Sequence, residues 1–264
     1  MKVAFQRRIF QRDFDIWLLD LARGTSSRYS FGRSDETYPV WSPDASRIVF
    51  GSRRDGAFGI YQKLASGTGN EELLFKTAAD VIPLHWSPDG GSLIFRSINA
   101  KGLGEVWILP LTGDRKPFPL LQSDEFNVSL PQLSPDGRWL AYWTAESGRT
   151  EVYIQSFPKV GSKWQVSTAG GMYHRWSRDG KEIFFQGLDG SQMAATVKGG
   201  STLEIGAPRR LFQARTLGGS QTMLGFKQQY DVAPDGRFLM NVPVAADAAA
   251  PLTLVLNWTA GLKK

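Results

Sequence analysis

Apolar and polar residues alternate along most of this chain, and the alternation restarts at a near-constant interval. "PVWSPDASRIVF" (39–50) recurs as "LHWSPDGGSLIF" (84–95), "PQLSPDGRWLAY" (131–142), "HRWSRDGKEIFF" (174–185) and "YDVAPDGRFLMN" (230–241). The turn aspartates Asp44, Asp89, Asp136, Asp179 and Asp235 are separated by 45, 47, 43 and 56 residues. Three positions before each stand Trp41, Trp86, Leu133, Trp176 and Val232. Four positions after come Ile48, Leu93, Leu140, Ile183 and Leu239, and six after come Phe50, Phe95, Tyr142, Phe185 and, out of pattern, Asn241. Apolar residues spaced by two around a turn predict a β-hairpin, not a helix.

The turn residues agree with that prediction. Pro43, Pro88, Pro135 and Pro234 fix φ at the first central position, and the aspartates tolerate the second. A glycine then supplies the left-handed residue of a short hairpin turn. Ala45 takes that place in the first copy, at a cost of about 1 kcal/mol if the geometry is kept. Arg178 replaces the proline in the fourth copy and is expected to loosen the turn.

Two further apolar runs follow each hairpin. "GIYQKL" (59–64), "EVWILPL" (105–111), "EVYIQSF" (151–157) and the weaker "SQMAATV" (191–197) read as third strands. "EELLF" (71–75), "KPFPLL" (116–121), "KWQVS" (163–167) and "RRLF" (209–212) read as fourth, edge strands, where a proline removes no ladder donor. Each copy is thus a four-stranded antiparallel meander with two apolar faces. Stacking the copies radially hides both faces, which predicts an all-β, six-bladed β-propeller spanning 1–264 as one domain. "KVAFQRR" (2–8) aligns with "IVFGSRR" (48–54), and "PLTLVLNW" (251–258) falls where a third strand belongs. The first blade (1–31) and the last are therefore expected to be incomplete in sequence.

The W-S-P-D-G turns followed by an aliphatic strand resemble the TolB-type, WD40-like (PD40) propeller repeat. More narrowly, "DIWLLDLARGTSSRYSF" (15–31), "GDRKPFPLLQ" (113–122) and "LTLVLNWTAGLKK" (252–264) are similar to the C-terminal propeller region of bacterial receptor-type serine/threonine kinases. That resemblance implies an extracytoplasmic sensing or interaction module. It implies no kinase activity, because the Gly-rich, His-Arg-Asp and Asp-Phe-Gly motifs are absent from the sequence.

Composition narrows the chemistry. The absence of cysteine excludes disulfides, thiolate zinc sites and a cysteine nucleophile. The formal charge of +6 is spread along the chain in no block, which reads as solubility, not as a nucleic-acid surface. No apolar run resembles a signal peptide or a membrane span in the sequence as written. A Gly-x-Ser-x-Gly elbow is missing, and the turn aspartates are explained by their own backbone donors. His85 and His174 point to opposite faces of their strands, so no cofactor or metal is expected.

The remaining candidates are loops. Arg53 and Arg54, Lys101 and Arg149 fall in equivalent loops between second and third strands, with Tyr173 in a blade connection. They form either solvated loop charge or a basic crown for a ligand. The expected function is a non-catalytic module with a protein or peptide partner. The alternative is a propeller-type lyase or hydrolase that acts on anionic sugars through that crown.

Overall fold

The computed structural model describes residues 1–8, 14–32, 34–54, 56–159, 161–200, 202–214, 216, 228–233, 235–242 and 253–254. Pro234 and most of 214–227 and 251–258 lie outside these residues. The described chain is all β and falls into two compact units, Met1–Pro131 and Gln132–Lys264.

Three sheets lie within the first unit, the first of them with three strands and the others with four. β1 (Lys2–Arg8), β2 (Phe14–Asp20) and β3 (Thr25–Arg28) form a three-stranded meander. β4 (Glu36–Trp41), β5 (Arg47–Arg54), β6 (Ala57–Leu64) and β7 (Glu72–Thr77) form the second sheet in chain order. β8 (Val81–Trp86), β9 (Ser92–Ile98), β10 (Gly104–Pro110) and β11 (Phe118–Leu121) form the third. The unit boundary falls inside β12 (Val128–Leu133), the first strand of a sheet continued by β13 (Trp139–Thr144), β14 (Glu151–Ser156) and β15 (Lys163–Gln165).

In the second unit, β16 (Met172–Trp176), β17 (Glu182–Gln186) and β18 (Ser191–Gly199) continue the pattern. The outer edge of β18 is divided between β19 (Leu203–Ile205), which pairs with Val197–Gly199, and β20 (Arg209–Gln213), which pairs with Ser191–Ala194. The sequence pattern misses β19, a three-residue strand too short to show a period. The last sheet has β21 (Tyr230–Val232), β22 (Phe238–Met240) and β23 (Thr253–Leu254). β21 and β22 run for only 3 residues each, and of the third strand only Thr253–Leu254 is described. The expected six blades are thus corrected to five, mainly four-stranded, with β21–β23 a fragment beside them.

Alternation explains how a sheet buries both faces. Ile48 and Phe50 on β5 join Ile16, Leu18 and Tyr29 in one core cluster. Val49, between them in sequence, joins Ile60, Leu93, Phe95 and Leu109 in the next cluster. Successive side chains of a strand point to opposite faces, so one strand serves two cores. Burying these residues stabilises by roughly 25 cal/mol for each Å² of apolar surface removed from water.

Candidate functional site

The turns between first and second strands satisfy themselves. The hydroxyls of Ser42, Ser87, Ser134 and Ser177 donate to the aspartate two residues on, at 2.6, 2.5, 2.5 and 2.8 Å. The same hydroxyls accept the N–H groups of Arg47, Ser92, Trp139 and Glu182 at 2.9, 2.9, 3.0 and 2.9 Å. Hydrogen bonds from Ser42 and Ser46 hold the Asp44 carboxyl down at about 2. Those from Ser87 and Ser177 likewise hold Asp89 and Asp179 below the usual range. Asp136 accepts from the Arg138 N–H and Asp235 from the Arg237 N–H, both at 3.2 Å.

Ala45 adopts φ 56°, the left-handed conformation expected of it. The Arg178 turn keeps the same geometry, with the Gly180 N–H donating to Ser177 O at 3.0 Å.

The opposite hairpins place the predicted loop residues as follows. Arg53 stacks over the Phe58 ring at 4.8 Å, in the hairpin that joins β5 to β6. Arg54 is tied to Glu36 and Glu71 and lies over Tyr61. Lys101 pairs with Asp124 at 3.3 Å, with both side chains well exposed. Arg149 pairs at 2.6 Å with the fully buried Glu151 and donates to Thr168 O. Arg8, which pattern reading did not single out, repeats the Arg53 arrangement over Phe14 at 4.9 Å, in the hairpin of the first sheet. Among the described residues, neither Arg8 nor Arg53 pairs with a carboxylate.

Tyr173 lies on β16, in the second unit. A register shift between Met172 and Arg175 bulges β16, and Tyr173 takes φ 54° within it. Bulges re-aim side chains, and left-handed backbone at a bulky residue stores strain. Tyr173 is buried, burial raises its pKa, and the ring keeps its hydroxyl proton as a donor. It lines a cavity of about 280 Å³ with Met172, Gln186, Leu188, Asp189 and Gln213. The Gln186 Nε2 is buried with no hydrogen-bond partner among the described residues. Asp189 accepts the Ser191 N–H and hydroxyl at 2.9 and 2.5 Å, and the hydroxyl contact above all keeps its carboxyl below the usual range.

Pattern reading missed three buried polar groups. Glu151 accepts hydrogen bonds from the Ser167 hydroxyl and, at 3.0 Å, the Gly170 N–H. Arg96 is buried, its pKa lowered by desolvation to about 10, against the opposing influence of Tyr38 and Asp80. Its guanidinium occupies the space that a Cβ on Gly104 would need. Gln186 is the third. For Arg96 and Gln186 a signal did exist: seven residues after each turn aspartate the repeat carries Gly51, Arg96, Trp143, Gln186 and Val242, a position where it stops repeating.

Among the described residues, no group of three or more His, Asp or Glu side chains is placed to hold a metal ion. Among the same residues, no helix is long and apolar enough to cross a membrane.

Comparison with solved structures shows the fold class to be an all-β propeller. TolB from Acinetobacter baumannii matches 92% of this chain and 58% of its own, with TM-score 0.69 and 17% identity. An oligogalacturonate lyase in complex with manganese matches 91% of this chain and 82% of its own, with TM-score 0.60 and 13% identity. At these identities the likeness is one of fold. An uncharacterised protein of Agrobacterium fabrum is 30% identical over 142 residues, 49% of this chain and 46% of that protein. The chain thus matches about half the length of that curated relative. No family model matches the chain.

Proposed function

We propose that this chain is a non-catalytic binding module, a sensing or interaction propeller of a larger receptor-type protein, and that it engages an acidic protein or peptide partner. The observation that carries this reading is the repeated stacking of Arg8 on Phe14 and Arg53 on Phe58. An arginine held over a ring keeps its five donors free and loses little side-chain entropy when it meets a carboxylate. The turn aspartates, engaged in their own hydrogen bonds, support the reading from the other end of each sheet. The resemblance to receptor-kinase propellers and the TolB-like fold agree with it. The test is fluorescence anisotropy of a labelled Asp/Glu-rich decapeptide. Saturable binding that weakens at least about tenfold in the Arg8→Glu/Arg53→Glu double variant is expected. Equal affinity in the variant contradicts the assignment.

A second reading is a lyase acting on anionic sugars through Arg53, Lys101 and Arg149. The oligogalacturonate lyase fold favours it. The engagement of Lys101 with Asp124 and of Arg149 with Glu151 weakens it. Turnover of polygalacturonate by the purified protein, abolished by Arg53→Ala, would establish this reading in place of the first.

A further inference from the structure

We infer that the cavity beside Tyr173 in the second unit seats one peptide group of an extended, uncharged peptide segment. The inference rests on the peptide-binding reading and adds a second, chemically distinct site to it.

The lining sets the chemistry. Gln186 and Asp189 are the two polar groups that differ most in what they ask of a ligand. The Gln186 side chain is buried at the end of β17, and its Nε2 donor has no acceptor among the described residues. A buried donor without an acceptor is costly, and a ligand carbonyl removes that cost. The Gln186 Oε1 already faces the Thr216 hydroxyl at 3.5 Å, so the amide presents its nitrogen as the open group. The Asp189 carboxylate lies across the β17–β18 turn and can accept only. One open donor and one acceptor match the C=O and N–H of an amide.

The charge balance excludes an anion. Asp189 is the one ionisable carboxylate of the lining, and Arg210 stands close enough to offset its charge. A uronate brought here would meet Asp189 without a dedicated counter-charge. A strong cation would compete with Arg210. An uncharged amide meets neither penalty.

The walls supply the apolar remainder. Met172 and Leu188 line the cavity, and Leu188 is 37% exposed, at its mouth. The turn is held in place by Gln213, whose Nε2 donates to Asp189 O at 3.0 Å, tying β20 to the β17–β18 turn. The bulge in β16 turns Tyr173 into the same lining. A space of about 280 Å³ fits one residue of a peptide with its flanking amide, at the small end of ligand pockets.

Methionine methyl NMR reads this site directly, because Met172 is one of 5 methionines and lines the cavity. The probe is the blocked tripeptide acetyl-Ala-Leu-Ala-amide, titrated into the full chain labelled at methionine methyls. A saturable shift of the Met172 methyl is expected, with the Met240 methyl unmoved. Gln186→Glu keeps the side-chain shape and the oxygen facing Thr216 but replaces the donor with an acceptor, so the affinity should fall at least tenfold while the methyl spectrum stays that of the folded protein. A tripeptide that shifts Met172 equally well in Gln186→Glu, or that shifts no methyl, overturns the assignment. A Met172 shift with N-acetylglucosamine and none with the tripeptide overturns it as well. The acidic decapeptide is measured in parallel. Its loss on Arg8→Glu/Arg53→Glu depends on the first unit alone, so the two assignments fail separately.

Discussion

The two ends of each sheet solve opposite problems. At the Ser-Asp turns, hydroxyl, carboxylate and backbone N–H close on one another within six residues, as in Ser42–Arg47 and Ser87–Ser92. At the hairpins between second and third strands closure is mixed: Asn99 holds the N–H groups of Lys101 and Leu103, and Asp189 holds Ser191, whereas other groups reach across greater sequence distance. Glu151 draws in Ser167, 16 residues away, whereas Arg53 rests on a ring and pairs with no carboxylate among the described residues. Local closure makes the first end repeatable and chemically quiet. Long-range partnering makes the second end individual, and individual features are where recognition resides.

The hairpin end is most vulnerable at Glu151. Glu151→Ala strands the Ser167 hydroxyl and the Gly170 N–H in a buried site and should cost about 3 kcal/mol, read by denaturant unfolding. Ser134→Ala removes one self-closing turn. The Trp139 N–H loses its acceptor and Asp136 loses a donor, so a loss of about 2 kcal/mol is expected in the same assay. Ala45→Gly sharpens the comparison in the other direction. It relieves the left-handed strain at φ 56° and should stabilise by about 1 kcal/mol, visible as a raised Tm.

The smallest effect is acid sensitivity. Asp44 has its folded pKa depressed to about 2, below an unfolded value of about 3.9, so its contribution is fully present above pH ~4. That contribution is lost as pH falls through about 2, and exposure keeps it small. Comparing pH titrations of unfolding for the parent and Asp44→Asn should show a steeper acid loss in the parent.

Much of the fold was legible because its determinants are local. Pro-Asp-Gly chemistry and a period of two predicted the turns and the strands β5, β9, β13 and β17 from short windows. The blade number was less legible, since Asp235 announces a turn without revealing that β21 and β22 run for only 3 residues each. The edge strand β19 escaped for the same reason. The site was harder. Arg53, Arg54, Lys101, Arg149 and Tyr173 stood out as charge or aromatic rings in loops, but their partners did not. Arg96 and Asn127 are 31 residues apart, and nothing in the local pattern joins them. Gln186 is an amide at the end of an apolar strand, and only the cavity beside it gives that amide a meaning.

The division of labour between the two ends is tested most directly by measuring acidic-decapeptide affinity and unfolding free energy on the same preparations of Ser134→Ala and Arg8→Glu/Arg53→Glu. The serine variant should lose stability and keep its affinity, while the arginine variant should lose its affinity and keep its stability. Affinity that tracks stability in both variants, or that survives reversal of both arginines, contradicts that division.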